Sequence, residues 1–202
     1  MFNLSEKFKF MPWIGSEYAA GYNGIKLLIV GDSHYGDPPG KEINFTRDVL
    51  GRHLSGENRV SFFTLIARAI TGETNEKLSQ DKFWNTVAFY NYIQTSMEDF
   101  DVRPTSEQAI EAQDAFKEAL DVLQPDRLIL LGNMVWDMTP SDGKEGDVII
   151  LSNTNRQMLT WHYPTNTGKV IFTGKMEHAS SRGFSPDSWH PLVEAFFAGN
   201  PK

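Results

Sequence analysis

Two short runs, "IKLLIVG" at residues 25–31 and "DRLILLG" at 126–132, each place four consecutive apolar residues directly before a glycine. A strand with no polar alternation is buried on both faces, which is the pattern of a parallel sheet covered by helices on both sides. "KVIFTG" and "DVIILS" are further short runs of β type, and "VAFYNY" adds another apolar run. Between them the periodicity changes. "SFFTLIARAITG" predicts a helix stopped by Gly72. "PTSEQAIEAQDAFKEALDVLQP" predicts a longer one. There Thr105 and Gln108 form a capping box, Phe116, Leu120 and Leu123 recur on one face, and Pro125 closes the segment. Strands alternating with helices predict an α/β fold: a three-layer α/β/α sandwich around a central, mostly parallel sheet. No repeat, low-complexity tract or linker divides residues 1–202, so one domain is expected.

The chain has no cysteine, which removes disulfides, thiolate zinc sites and cysteine-held iron–sulfur clusters. No apolar stretch approaches the ~20 residues of a membrane span, and the N-terminus lacks the pattern of a signal peptide. A soluble, cytoplasmic protein without cofactor or metal is expected. The net charge of −7 is concentrated in one place. Residues 98–126 hold nine acids and two bases, so the remaining 17 acids and 17 bases cancel. That acidity is read as a solvated helix face. Residues 168–183 instead carry Lys169, Lys175 and Arg182 against Glu177, which allows an anionic ligand there.

Ligands of such sheets bind outside the carboxyl ends of the strands. "GDSHYGDPPGK" (31–41) follows the first long strand and sets Asp32, Ser33, His34 and Tyr35 on that rim, with Asp37, Pro38, Pro39 and Gly40 holding the next segment as a loop. This stretch resembles the first motif of the uracil-DNA glycosylase superfamily, in which Gly31, Tyr35 and the Pro/Gly turn fall in order. Phe45 lies where that family keeps an aromatic that stacks on an extruded base. Asn91 in "VAFYNY" resembles its base-reading asparagine, and "HASSRGF" (178–184) is similar to its second, H-P-S, motif. The resemblance runs from about residue 25 to 185 and is closest to a divergent bacterial branch with G-E-S-H-Y and H-P-S-S-R-G-F. It implies a role in DNA repair or a related base recognition, with DNA or a nucleotide as partner.

The chemistry it implies is coherent. A base inside a duplex must be flipped out and stacked on an aromatic, here Phe45 beside Tyr35. The Asn91 amide offers both a donor and an acceptor to a base edge. A neutral His178 stabilises charge on a departing base. Ser180, Ser181 and Arg182 are candidates for phosphate contacts, and Phe184 for a wedge in the vacated stack. The family's water-orienting aspartate lies two residues after the first glycine, a position held here by Ser33. Asp32 is adjacent, and neighbours on an extended segment point apart. Asp32, Ser33 and His178 are therefore the catalytic candidates.

A second resemblance competes. Gly31-Asp32-Ser33 followed by Asp187-x-x-His190 is similar to the GDSL/SGNH acyl hydrolases, and implies a Ser33–His190–Asp187 triad. A third reading keeps the pocket as a non-catalytic nucleotide-binding or nucleic-acid-binding module.

Overall fold

The computed structural model describes residues 4–36, 43–99, 101–152 and 155–199. The turn expected at Asp37, Pro38, Pro39 and Gly40 falls outside them. The elements run β1 (Trp13–Ile14), β2 (Leu27–Gly31), α1 (Phe45–Ser55), α2 (Ser61–Thr71), α3 (Gln80–Trp84), β3 (Val87–Asn91), α4 (Ser106–Leu123), β4 (Arg127–Leu131) and α5 (Asn133–Met138). They continue with β5 (Lys144–Glu145), β6 (Ile149–Ile150), β7 (Gln157–Met158), β8 (Thr160–Pro164), β9 (Val170–Met176) and α6 (Pro186–Ala198). Seven strands form one sheet in the order β1-β3-β2-β4-β9-β8-β5. Its four central strands are parallel, and β1, β8 and β5 join antiparallel at the edges.

The unbroken apolar runs work as the sequence demands. Leu27, Ile29, Val87, Phe89, Ile129 and Leu131 pack with residues of α1, α2, α3 and α6. The alternate positions Leu28, Val30, Ala88, Tyr90, Leu128 and Leu130 pack with α4 and α5. Helices thus cover both faces of a mixed, mostly parallel sheet. The chain moves from β2 to β3 on one side, then crosses back over β2 to β4 on the other. Because crossovers are right-handed, the two connections lie on opposite faces and part at the carboxyl end of β2. That end is where Asp32 begins.

Local signals account for the helices. In α4 the Thr105 side chain accepts from the Gln108 amide while Gln108 reaches back to the Thr105 amide, and Phe116, Leu120 and Leu123 are buried. Gly72 ends α2 in the left-handed region (φ 71°), where its amide donates to the Arg68 carbonyl. The "DVIILS" run gives only β6, which pairs with β7 in a separate two-stranded sheet. The acidic face of α4 is also less free than its charge suggests. Glu111 pairs with Lys9 at 2.6 Å and Glu118 accepts from Ser5, so the helix clips the N-terminal segment in place. Exposed pairs of this kind contribute ~0–1 kcal/mol each.

Strand β9, which leads to His178, is seated through Gly174. A Cβ there would lie 2.7 Å from Met158 Sδ and 3.1 Å from the Phe196 ring. Gly174→Ala is expected to destabilise the protein by about 1–3 kcal/mol through overpacking, read as a lower midpoint of urea unfolding. An unchanged midpoint would contradict this packing.

Candidate active site at the carboxyl ends of the strands

Beyond β2 the chain stays extended and is carried by the segment after β3. The Tyr92 amide donates to the Gly31 carbonyl (2.9 Å), the Ile93 amide to Asp32 (2.8 Å), the Met97 amide to His34 (2.8 Å) and the Gly36 amide to Met97 (2.9 Å). Residues 32–36 are therefore fixed by backbone pairing.

Asp32 is the member of the Asp32–Ser33 pair that faces the rim. Its Oδ1 accepts from the Ser33 amide at 2.7 Å and lies 3.5 Å from His178 Nε2, and its Oδ2 accepts from the Tyr35 hydroxyl at 2.8 Å. Ser33 is buried, and its Oγ has no hydrogen-bond partner. Of the sequence candidates, Asp32, Tyr35 and His178 are thus brought together, with the buried Ser33 side chain beside the Tyr35 phenol.

His178 is held from three sides. The Ser180 amide donates to its Nδ1 at 3.3 Å, and the Phe62 ring lies across it with centroids 5.0 Å apart. The third side is Gly132, the residue after β4. It is in a left-handed conformation (φ 93°), and a Cβ there would come within 3.2 Å of His178 Cβ. Since β4 lies between β2 and β9, a Cβ at 132 would press on the His178 Cβ from which the ring reaches over to Asp32. With Nδ1 accepting, the neutral ring carries its proton on Nε2, which faces the carboxylate.

The electrostatics agree. Burial would raise the Asp32 pKa, but the hydrogen bonds from His178, the Tyr35 hydroxyl and the Ser33 amide outweigh it and hold the carboxyl below its ordinary value. Burial, joined by the adjacent Asp32 charge, pushes the Tyr35 phenol up to about 12, so it stays a donor. An ionised carboxylate, an Nε2–H and a phenol O–H share one rim.

Asn91 and Phe45 belong to a second group, centred on a residue that sequence reasoning left out of the site. His34 is buried, with its Nε2 2.9 Å from Thr46 Oγ1 and its Nδ1 3.3 Å from Asn91 Nδ2. The rings of Phe10 and Phe45 meet it edge-on at 5.0 and 4.7 Å. Asn91 is the register partner of Gly31 and leans over it, so that a Cβ on Gly31 would lie 2.4 Å from Asn91 Oδ1. The sequence signals for His34 are its place between Ser33 and Tyr35 and its match to the histidine of the G-E-S-H-Y pattern.

The remaining candidates are dispersed. Ser180 and Arg182 are exposed, and the Ser181 amide donates to the His178 carbonyl (2.9 Å), which makes this segment the support of His178. Phe184 is half-buried against the core, an anchored position that does not suit a free wedge. The triad expectation is not met by the geometry. Asp187 bonds Arg68 (3.2 Å), His190 Nε2 faces Glu194 (3.6 Å) with its Nδ1 unpartnered, and Ser33 Oγ touches neither.

A cleft of about 350 Å³ opens beside His178, with Asn133, Gln157, Lys175 and Ser181 among its walls. A larger one, about 930 Å³, is lined by Phe10, Ile43 and Gln94 and includes neither Asp32 nor His178. No group of three or more acidic or histidine side chains suited to a metal ion occurs among the described residues, and no helix among them is long and apolar enough to cross a membrane. Comparison of the chain with protein-family models and with curated proteins finds no match.

Burial lowers the His34 pKa from 6.5 to about 4, against the smaller opposing pull of Asp32. A folded value below the unfolded one means stability that is complete above pH 6.5 and lost as pH falls toward 4, as the unfolded chain takes up a proton the folded one refuses. The loss attributable to His34 amounts to roughly 3 kcal/mol. Urea midpoints followed across this range should fall more steeply for the parent protein than for His34→Gln. Parallel lines would rule out a buried, neutral His34.

Proposed function

We propose that this protein recognises a nucleobase, presented in DNA or a related nucleotide, and hydrolyses its N-glycosidic bond. We further read its architecture as that of the uracil-DNA glycosylase superfamily. The observation that carries the proposal is the Asp32 carboxylate facing His178 Nε2 at 3.5 Å on the rim where the strand order reverses. Breaking an N-glycosidic bond leaves positive charge at the sugar C1′ and negative charge on the departing base. One ionised carboxylate and one N–H donor, set opposite each other, suit those two charges.

In this reading the C1′–N bond breaks with its electron pair going to the base. His178 turns its Nε2–H from the long contact with Asp32 to the base and stabilises the anion. Asp32 offsets the charge on the sugar and orients a water whose oxygen bonds C1′, taking the proton that water gives up. Tyr35 keeps Asp32 aligned. The part that the resemblance implies for the position of Ser33 thus passes to Asp32. Lys175 in the adjoining cleft and the exposed Arg182 supply positive charge for phosphates.

Alkali-induced strand cleavage after incubation with single- and double-stranded DNA carrying uracil, hypoxanthine or modified cytosines tests the proposal. Base release is expected, reduced about 10²–10⁴-fold by Asp32→Asn or His178→Gln, with Ser33→Ala within about threefold of the parent. Retained binding without release of any base would leave a binding module instead. Ester hydrolysis lost in Ser33→Ala would establish the acyl-hydrolase reading.

A further inference from the structure

His178, which faces Asp32 across the rim, stands on no strand or helix but on the loop of residues 177–183 that follows β9. Within this loop the Ser181 amide donates to the His178 carbonyl at 2.9 Å, and the Phe184 amide donates to Ser181 at 3.1 Å. The two ends of the loop are tied together by a side chain from elsewhere in the chain. Arg156 Nη1 donates to the carboxylate of Glu177, the residue before His178, and Nη2 donates to the Gly183 carbonyl at 2.8 Å. A guanidinium is a rigid planar fork, so acceptors on its two arms keep a fixed separation. The fork is itself anchored. Its Cζ lies 5.3 Å from the ring centre of the buried Trp189 on α6. The next two residues, Gln157 and Met158, pair with β6, and Met158 is buried in the core.

Arg156 also stands in the wall of the cleft beside His178, where an arginine invites reading as a phosphate contact. Both arms of its fork, however, hold acceptors of the protein. We propose that Arg156 is the positioning residue of His178: by tying Glu177 to Gly183 it closes the loop that carries the imidazole and keeps the ring facing Asp32. Its value to the reaction rests on the base-release reading of that pair. An arginine with this task sets turnover and leaves affinity alone, whereas one that grips a phosphate does the reverse.

Amide hydrogen exchange of the full-length protein, followed by NMR, tests the clamp without any substrate. Arg156→Met keeps an unbranched stem against Trp189 and removes the fork. The Ser181 and Phe184 amides are expected to exchange about ten- to a hundredfold faster, with the β4 amides within about threefold of the parent. Arg156→Lys keeps the charge without the fork, and its loop amides should exchange nearly as fast as those of Arg156→Met. In base release both variants should lower kcat about tenfold or more, with KM within about threefold of the parent. Unchanged exchange at Ser181 and Phe184 in Arg156→Met overturns the proposal. So does full protection in Arg156→Lys, which would make charge alone sufficient, and so does equal acceleration of the β4 amides, which would make Arg156 a general stabiliser. A raised KM at unchanged kcat overturns it in favour of a phosphate contact. A parent protein that releases no base overturns the base-release reading instead, and the exchange rates still decide whether Arg156 holds His178.

Discussion

Everything at the functional rim hangs on β2, a strand paired on both edges and buried on both faces. Its burial leaves no room for polar groups until Gly31, so the first side chains with chemistry appear together, at the strand's carboxyl end. The reversal of chain direction on either side of β2 then sends helices to opposite faces and leaves that end uncovered. The candidate site follows from the sheet's topology before any side chain is placed in it.

Side-chain absence does the next part. Asp32 follows β2 and His178 follows β9, and the two are separated by β4. They approach to 3.5 Å beside Gly132, where a Cβ would press on the His178 Cβ. At Gly31 the same device lets Asn91 lean across β2 toward His34. The rim therefore carries two linked constellations, one of charge (Asp32, Tyr35, His178) and one of packed rings around a buried amide (His34, Asn91, Phe45). Asp32 and His34 flank the buried Ser33 on one stretch of pinned backbone.

The sequence made some of this legible and hid the rest for physical reasons. β2 and β4 were readable because a doubly buried strand has no alternation to confuse, and α4 because its capping box is local. β8, with the residues Thr-Trp-His-Tyr-Pro, was not, since it lies toward the sheet edge and mixes polar and apolar groups. Alternation showed that Asp32 and Ser33 point apart but not which faces the ligand. That depends on pairing with residues 92–97, sixty positions away in the chain. His34 matched a motif histidine, but its partners Asn91 and Thr46 lie on other elements and were not legible. The Asp187-x-x-His190 spacing was real on α6, yet Arg68 and Glu194 are the groups that these side chains meet.

The account stands on Asp32 and His178 being one site rather than two neighbours, and the proton on the imidazole reports this directly. A long-range ¹H–¹⁵N spectrum of the histidines at alkaline pH, where imidazoles are neutral, distinguishes the two tautomers. The account predicts that His178 carries its proton on Nε2, toward Asp32, with Nδ1 accepting from the Ser180 amide. A proton on Nδ1 would contradict it, because the nitrogen facing Asp32 would then be a lone pair set against a carboxylate.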